Sequence, residues 1–368
     1  MPPKRLAHRG MTTLATALLG FVALELLGNA AADFIDPGLR EPEYGRKLSL
    51  LKTQIRQSPH RPLLLLLGSS RTAYGLCPEF LFGAESPNSP LVYNFGILGG
   101  GPVYELLYFR RLLDAGIRPE WVVVEVHPAL LKSAPELMAA HLPPLGRCDL
   151  RDLCLLHNYL DNPRSTWCQW LRYRAAACYR FRGELMRRVA PQWLPDPVQP
   201  DTAALDKTTP SGWVPGPWPR PEDVVRQARA NLVRHFYSPG YQDFAVSERP
   251  DRALREVLAL CRQEKIDAAL LLMPESEELR DSAVTAAQHT IGRYLAELGR
   301  EHGADLFDAS HWCKDAEFAD GQHLLADAAT RLSATLGKRV LGDWVASRSR
   351  QPLDVPAVAG GRRPAIRR

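Results

Sequence analysis

Residues 63–67 are five consecutive leucines, closed by Gly68-Ser69-Ser70-Arg71. An uninterrupted apolar run of this length, ending in turn residues, predicts a strand buried on both faces. Residues 91–95 predict a second, short strand, ending in Gly96-Ile97-Leu98-Gly99-Gly100-Gly101, and 121–126 a third, rich in β-branched side chains. Between them, residues 104–115 are apolar at helical spacing and stop at Gly116. Upstream, 41–57 reads as a helix halted by Pro59 and Pro62. The alternation pauses at about 132 and resumes with a helix over 251–264, a strand over 268–273, a long helix near 280–302 and a short strand over 304–308. A last helix is expected from 324 to about 347, with Leu325, Ala329, Leu332, Leu336 and Val340 on one face. Buried strands alternating with helices predict an α/β fold around a parallel sheet.

The interruption, residues 132–248, divides the expected sheet domain into 33–131 and 249–349. It holds Trp167, Trp170, Trp193, Trp213 and Trp218 among many arginines, with helices expected near 150–160, 165–189 and 222–238. Two readings fit such an insertion. It is a lid that stacks sugar rings or binds anionic substrate through its aromatic faces, or it is a helical subdomain that buries the tryptophans in its own core.

Residues 11–31 are almost uncharged and follow Lys4, Arg5 and Arg9. As a helix this run is about 32 Å long, enough to cross the hydrocarbon core of a bilayer. The preceding basic residues put the N-terminus on the cytoplasmic side and the rest of the chain outside. Residues 1–32 are therefore expected to be a transmembrane anchor, Glu25 reaching the outer interface. A cleaved signal ending at Ala30-Ala31-Ala32 is the alternative. Outside the cytoplasm the seven cysteines meet oxidising conditions, which permits local pairs such as Cys148–Cys154 or Cys168–Cys178; spacing does not decide connectivity. The formal net charge of +5 is partly terminal and forms no continuous basic stripe, which argues against nucleic acid as a partner. Residues 350–368 read as a disordered basic tail. No metal-ligand spacing occurs, and no cofactor is implied.

A serine at the carboxyl end of a buried parallel strand sits where open α/β sheets bind ligands. It needs a base, and a histidine oriented by a carboxylate is the usual one. Asp320-Gly321-Gln322-His323, in a loop entering the last helix, supplies both groups; Asp308-Ala309-Ser310-His311 is the rival pair. Ser69 competes with Ser70, its other role being a turn hydroxyl. The glycines after the second strand offer backbone N–H groups for an oxyanion. At the same sheet edge Arg71, Asn94, His127 and Glu275 are candidates to touch substrate.

These motifs resemble the blocks of the SGNH (GDSL-like) hydrolase superfamily. Gly68-Ser69-Ser70-Arg71 is similar to its first block, with Ser70 as nucleophile and Ser69 where many members carry aspartate. Asn94-Phe95-Gly96-Ile97-Leu98-Gly99 resembles the second, and Asp320-Gly321-Gln322-His323-Leu324 the last, which carries acid and base. The resemblance covers roughly 60–350 without the insertion, and implies a flavodoxin-like three-layer α/β/α fold with strand order 2-1-3-4-5. It implies a Ser70–His323–Asp320 triad with Gly99 and the Ser70 N–H as oxyanion donors. One block departs: after the third strand many members have Gly-x-Asn-Asp, and this chain has Glu125-Val126-His127-Pro128. Gly-Ser-Ser-Arg without that asparagine resembles the membrane-associated, extracytoplasmic branch linked to polysaccharide O-acetylation and teichoic-acid esterification. That implies an esterase or O-acyltransferase acting on acylated carbohydrate or envelope polymer, with a membrane-bound acyltransferase as a conceivable partner. The competing reading is a catalytically inactive module that binds glycan or scaffolds an acylation complex.

Overall fold

The computed structural model describes residues 4–83, 89–137, 142–193, 206–279 and 282–349; the expected tail over 350–368 lies outside them. In chain order the helices are α1 (Lys4–Ala30), α2 (Pro42–Gln57), α3 (Ser70–Gly75), α4 (Pro102–Asp114), α5 (Leu150–Leu156), α6 (Pro163–Arg174) and α7 (Ala177–Val189). They continue with α8 (Asp223–Tyr241), α9 (Glu248–Glu264), α10 (Ser282–His302), α11 (Ala326–Leu336) and α12 (Gly342–Arg348). The strands are β1 (Leu63–Gly68), β2 (Leu91–Gly96), β3 (Trp121–Glu125), β4 (Asp267–Leu272) and β5 (Asp305–Asp308).

All five strands pair in parallel, in the order β2-β1-β3-β4-β5, with β1 between the edge strand β2 and the central strand β3. Successive side chains of a strand point to opposite faces. Leu64 and Leu66 join Trp121, Val123, Ala269 and Leu271 on one face, under Leu325, Ala329, Leu332 and Leu336 of the last helical region. Leu65, Leu67, Val122, Val124 and Leu270 are buried on the other, where α4 packs on β1 and α9 on β4. This is why β1 reads as pure leucine: each side chain leaves water, worth about 1.5–3 kcal/mol apiece, and no position is left for a polar residue.

The chain divides into two compact units, one from Met1–Arg46 with Pro144–Gln199 and one from Lys47–Pro143 with Pro200–Arg368. The expected insertion is thus split. Its middle part, 144–199, belongs with the N-terminal helix, and its first residues, 132–143, and its return segment, 200–248, belong with the sheet.

Within the sheet unit the return segment lies along the open edge of β2: Asn94 N–H donates to the Ser211 carbonyl at 2.8 Å, and the Lys47 ammonium to the Gly212 carbonyl at 2.8 Å. Val214 N–H then reaches the Ala73 carbonyl and the Trp213 indole the Tyr74 carbonyl, both on α3. An edge strand's free backbone groups are satisfied in this way.

Within the N-terminal unit, α1 belongs to a segment, Gly10–Ile35, that is long and apolar enough to span a membrane or act as a signal sequence. Its end packs against the start of α7. Asn29 exchanges hydrogen bonds with Arg174, and Cys178 N–H donates to the Glu25 carboxylate at 3.1 Å. Ala32 is fully buried with Ala177 and Phe181. Asp149 and Asp152 close a capping box on α5.

Two expected helices differ. Residues 165–189 break at Ala175–Ala176 into α6 and α7, Ala176 leaving the helical region at φ −135°. The last helix contains a π turn at Gly337–Leu341, where Gly337 lies so close to the Leu81 carbonyl that a Cβ would overlap it. Neither suggested cysteine pair forms a disulfide.

Candidate functional site

Ser70 is the first residue of α3, half-buried at the carboxyl end of β1. Ser69 precedes it as the N-cap, its hydroxyl accepting from Arg71 N–H at 3.1 Å. The turn is held from β3 by the Glu125 carboxylate, which is fully buried. It accepts from Ser69 N–H at 2.9 Å, the Ser69 hydroxyl at 2.9 Å, Thr72 N–H at 3.1 Å and the Thr72 hydroxyl at 2.6 Å. Gly68 makes this approach possible, because a Cβ there would lie 2.5 Å from a Glu125 oxygen and 2.3 Å from the Thr72 hydroxyl.

The second half comes from a tight loop between Phe318 and Leu324, which form an antiparallel bridge. Gly321, at φ +93°, takes the left-handed conformation that lets the loop reverse. Asp320 then caps its own turn, one oxygen accepting from Gln322 N–H at 3.1 Å and His323 N–H at 2.9 Å. Its other oxygen lies 2.7 Å from His323 Nδ1, and His323 Nε2 lies 2.8 Å from the Ser70 hydroxyl. Burial alone would raise the Asp320 carboxyl; the His323 charge and the hydrogen bonds from His323 and Gln322 outweigh it and hold the group below the ordinary carboxylate range.

The imidazole is enclosed by aromatic rings. Trp218 stacks on it at 5.3 Å between centroids and 22° between planes, and Tyr74 meets it edge-on at 5.5 Å. Trp218 belongs to the return segment lying over β2. With Ser70 on Nε2, Asp320 on Nδ1 and two rings around it, His323 is fixed in orientation. A hydroxyl, an imidazole and a carboxylate in this order can move a proton from serine oxygen to nitrogen as the oxygen attacks an electrophile.

Four expected substrate contacts sit elsewhere than at an open surface. Arg71 is buried, 2.9 Å from Glu275 and 3.7 Å from Glu125, and donates to the Met273 and Pro274 carbonyls. Burial opposes its charge, but Glu275 and Glu125 more than restore it. Its fork is committed to these partners, and Glu275 is its counter-ion. Asn94 is fully buried, its amide donating to the Thr72 and Leu76 carbonyls and accepting from Gly96 N–H. It holds α3 onto β2, which corrects the expectation of a substrate contact. Gly99 lies in the exposed turn after β2 at φ +73°. In the rival pair, Asp308 accepts from Ser310, and His311 is largely exposed with its ring nitrogen 3.9 Å from Glu277; neither is joined to a serine at the end of β1.

His127 is buried behind the loop, 3.4 Å from the Gln322 amide and 4.7 Å from the Tyr237 ring. These residues line a small pocket with Glu275 and Tyr241. Burial first, and the Arg71 charge second, push the His127 imidazole well below its usual value, so it is neutral. The unfolded chain then binds a proton near pH 6.5 that the folded chain refuses, so stability should fall as pH drops below about 6.5. The slope attributable to this group approaches about 1.4 kcal/mol per pH unit. Comparing urea midpoints at pH 7 and pH 5 should show a smaller loss for His127→Phe than for the unaltered chain. Asp320 acts only at lower pH, since its shift is downward from the carboxylate range.

No group of three or more His, Cys, Asp or Glu side chains that could hold a metal occurs among the described residues. No protein-family model matches the chain, and no curated protein matches it.

Proposed function

We propose that this chain is a membrane-anchored, extracytoplasmic serine esterase or O-acyltransferase of SGNH type, acting on acylated carbohydrate or a cell-envelope polymer. The observation that carries the chemistry is the continuous chain from the Ser70 hydroxyl through His323 to Asp320, with both links at hydrogen-bond distance. In this reading the Ser70 oxygen bonds to the acyl carbon while its proton passes to His323 Nε2. Asp320 holds the imidazole and stabilises the imidazolium. The negative oxygen is met by the Ser70 N–H, one of the first-turn donors of α3 without an intrahelical acceptor, and by the Gly99 N–H. The leaving alcohol takes the proton from His323, and water or a sugar hydroxyl then attacks the acyl-serine with His323 as base.

Retention of the N-terminal helix is supported by its contacts. Residues 30–32 lie in continuous helix rather than an extended segment, Ala32 is fully buried, and Glu25 and Asn29 bind the start of α7 and the end of α6. A fluorophosphonate probe applied to the detergent-solubilised full chain should label Ser70, as read from the modified peptide. A folded protein that takes no label favours the binding-module reading.

A further inference from the structure

We infer that the α6–α7 turn is a membrane-contacting element whose partner is the anionic phosphate layer of the bilayer that α1 spans. The inference rests on the anchor reading above, and every residue in it belongs to the N-terminal unit.

The height of this turn is set by α1. A hydrocarbon core of about 30 Å takes about 20 helical residues, which counted from Gly10 end near Asn29. The turn sits at that height. Asn29 Nδ2 donates to the Arg174 carbonyl at 2.8 Å, the Arg174 guanidinium donates to Asn29 Oδ1 at 2.9 Å, and Cys178 N–H reaches Glu25 at 3.1 Å. From there α7 runs in the same direction as the chain that follows α1, since Arg188 near its end pairs with Asp36. The start of α7 is therefore level with the outer edge of the hydrocarbon, and its end lies further into water.

The chemistry at that level suits phosphate. Residues 163–183 carry five arginines and no acidic residue. Arg172, Arg180 and Arg182 are exposed, beside Tyr179 at 67% and Leu171 at 56% exposure. The guanidinium of Arg182 lies 3.6 Å over the Tyr179 ring, and that of Arg180 lies 4.1 Å over Tyr173. One Arg182 amino group donates to the Tyr179 carbonyl; guanidinium groups in general recognise phosphate through their remaining N–H donors, and tyrosine rings favour the headgroup level. An exposed patch that is cationic, aromatic and pinned beside the end of a membrane-length helix thus matches an anionic headgroup layer. The same placement gives Glu25 a partner where an unpaired carboxylate would be costly.

The test uses the full chain in lipid nanodiscs of zwitterionic lipid, with and without one anionic component. Cys154, Cys168, Cys178 and Cys313 are replaced by serine, and a spin label is placed by Tyr179→Cys or, as the distant reference on the same helix, by Val189→Cys. A nickel-chelating headgroup lipid should relax the label at 179 strongly and the label at 189 weakly. In mixed discs, the variant Arg172→Glu with Arg182→Glu should retain about tenfold less anionic lipid on purification, or lower still. Equal relaxation at 179 and 189 in a disc that holds the intact chain overturns the inference and leaves the anchor standing. A chain shortened by the mass of α1 and absent from the disc overturns both. Shielding at 179 that needs a second membrane protein, and does not occur in pure lipid, overturns the choice of lipid as partner.

Discussion

Ser70→Ala and His323→Ala should each lower turnover of an activated acetyl ester by on the order of 10³-fold or more, and the double variant should be no slower than the worse single one. The reason is geometric. The Ser70 oxygen and His323 Nε2 share one proton across 2.8 Å, so removing either group removes the same event. Two independent contributions would instead multiply. Asp320→Asn tests the next link, because an amide keeps the two backbone hydrogen bonds at one oxygen but can present an N–H to His323 Nδ1, where the carboxylate accepts at 2.7 Å. A large loss in kcat with little change in KM is the expected signature of the wrong tautomer. Rates of the double variant at the product of the single losses would mean that the two residues do not act together.

The sheet was legible because strands buried on both faces leave a plain trace. Residues 63–67 carry no polar position, and the runs at 91–95, 121–126 and 268–273 are each followed within two residues by glycine or proline. The candidate triad was legible for a related reason: a serine ending a strand buried on both faces has one place to be, and Asp320 and His323 are brought together by a loop that only seven residues, 318–324, close. What stayed hidden depends on contacts between segments with no shared local pattern. Trp218 lies in a proline-flanked stretch without periodicity, and nothing near it in sequence points to a histidine more than a hundred positions later. The break between α6 and α7 falls in Ala175-Ala176-Ala177, among strong helix formers; what pins the helix ends there is the packing of Arg174 and Cys178 against α1. Asn94 looked like a substrate contact because it sits in a motif at a strand end. Its hydrogen bonds to Thr72 and Leu76 show a side chain fully used in holding the serine helix to β2.

Glu125 was equally illegible, since a glutamate closing a strand reads as a residue turning to solvent, and it carries the other large expected effect. Glu125→Ala should lower stability by about 3–5 kcal/mol, the usual result of removing one partner from a buried charged cluster, read as a drop in the denaturation midpoint. Two backbone N–H groups and two hydroxyls around α3 lose their acceptor together, and Arg71 keeps only Glu275 as counter-ion. Glu105 is poorly placed to substitute for it, because burial, the largest cause, pushes its carboxyl above the ordinary carboxylate range with or without the Glu125 charge. Glu125→Gln separates charge from shape. Its carbonyl oxygen can occupy the position that takes both N–H groups, and its amide can donate to the Ser69 hydroxyl, so the turn keeps its form while Arg71 loses a charge. Fluorophosphonate labelling of Ser70 should therefore survive within several-fold in Glu125→Gln and fall far more in Glu125→Ala, measured at a temperature where both remain folded. A purely structural brace would shift the midpoints and leave the labelling rates of the folded proteins equal. Unequal rates are expected, because the carboxylate that fixes Ser69 and Thr72 brackets Ser70 and sets where its hydroxyl meets His323.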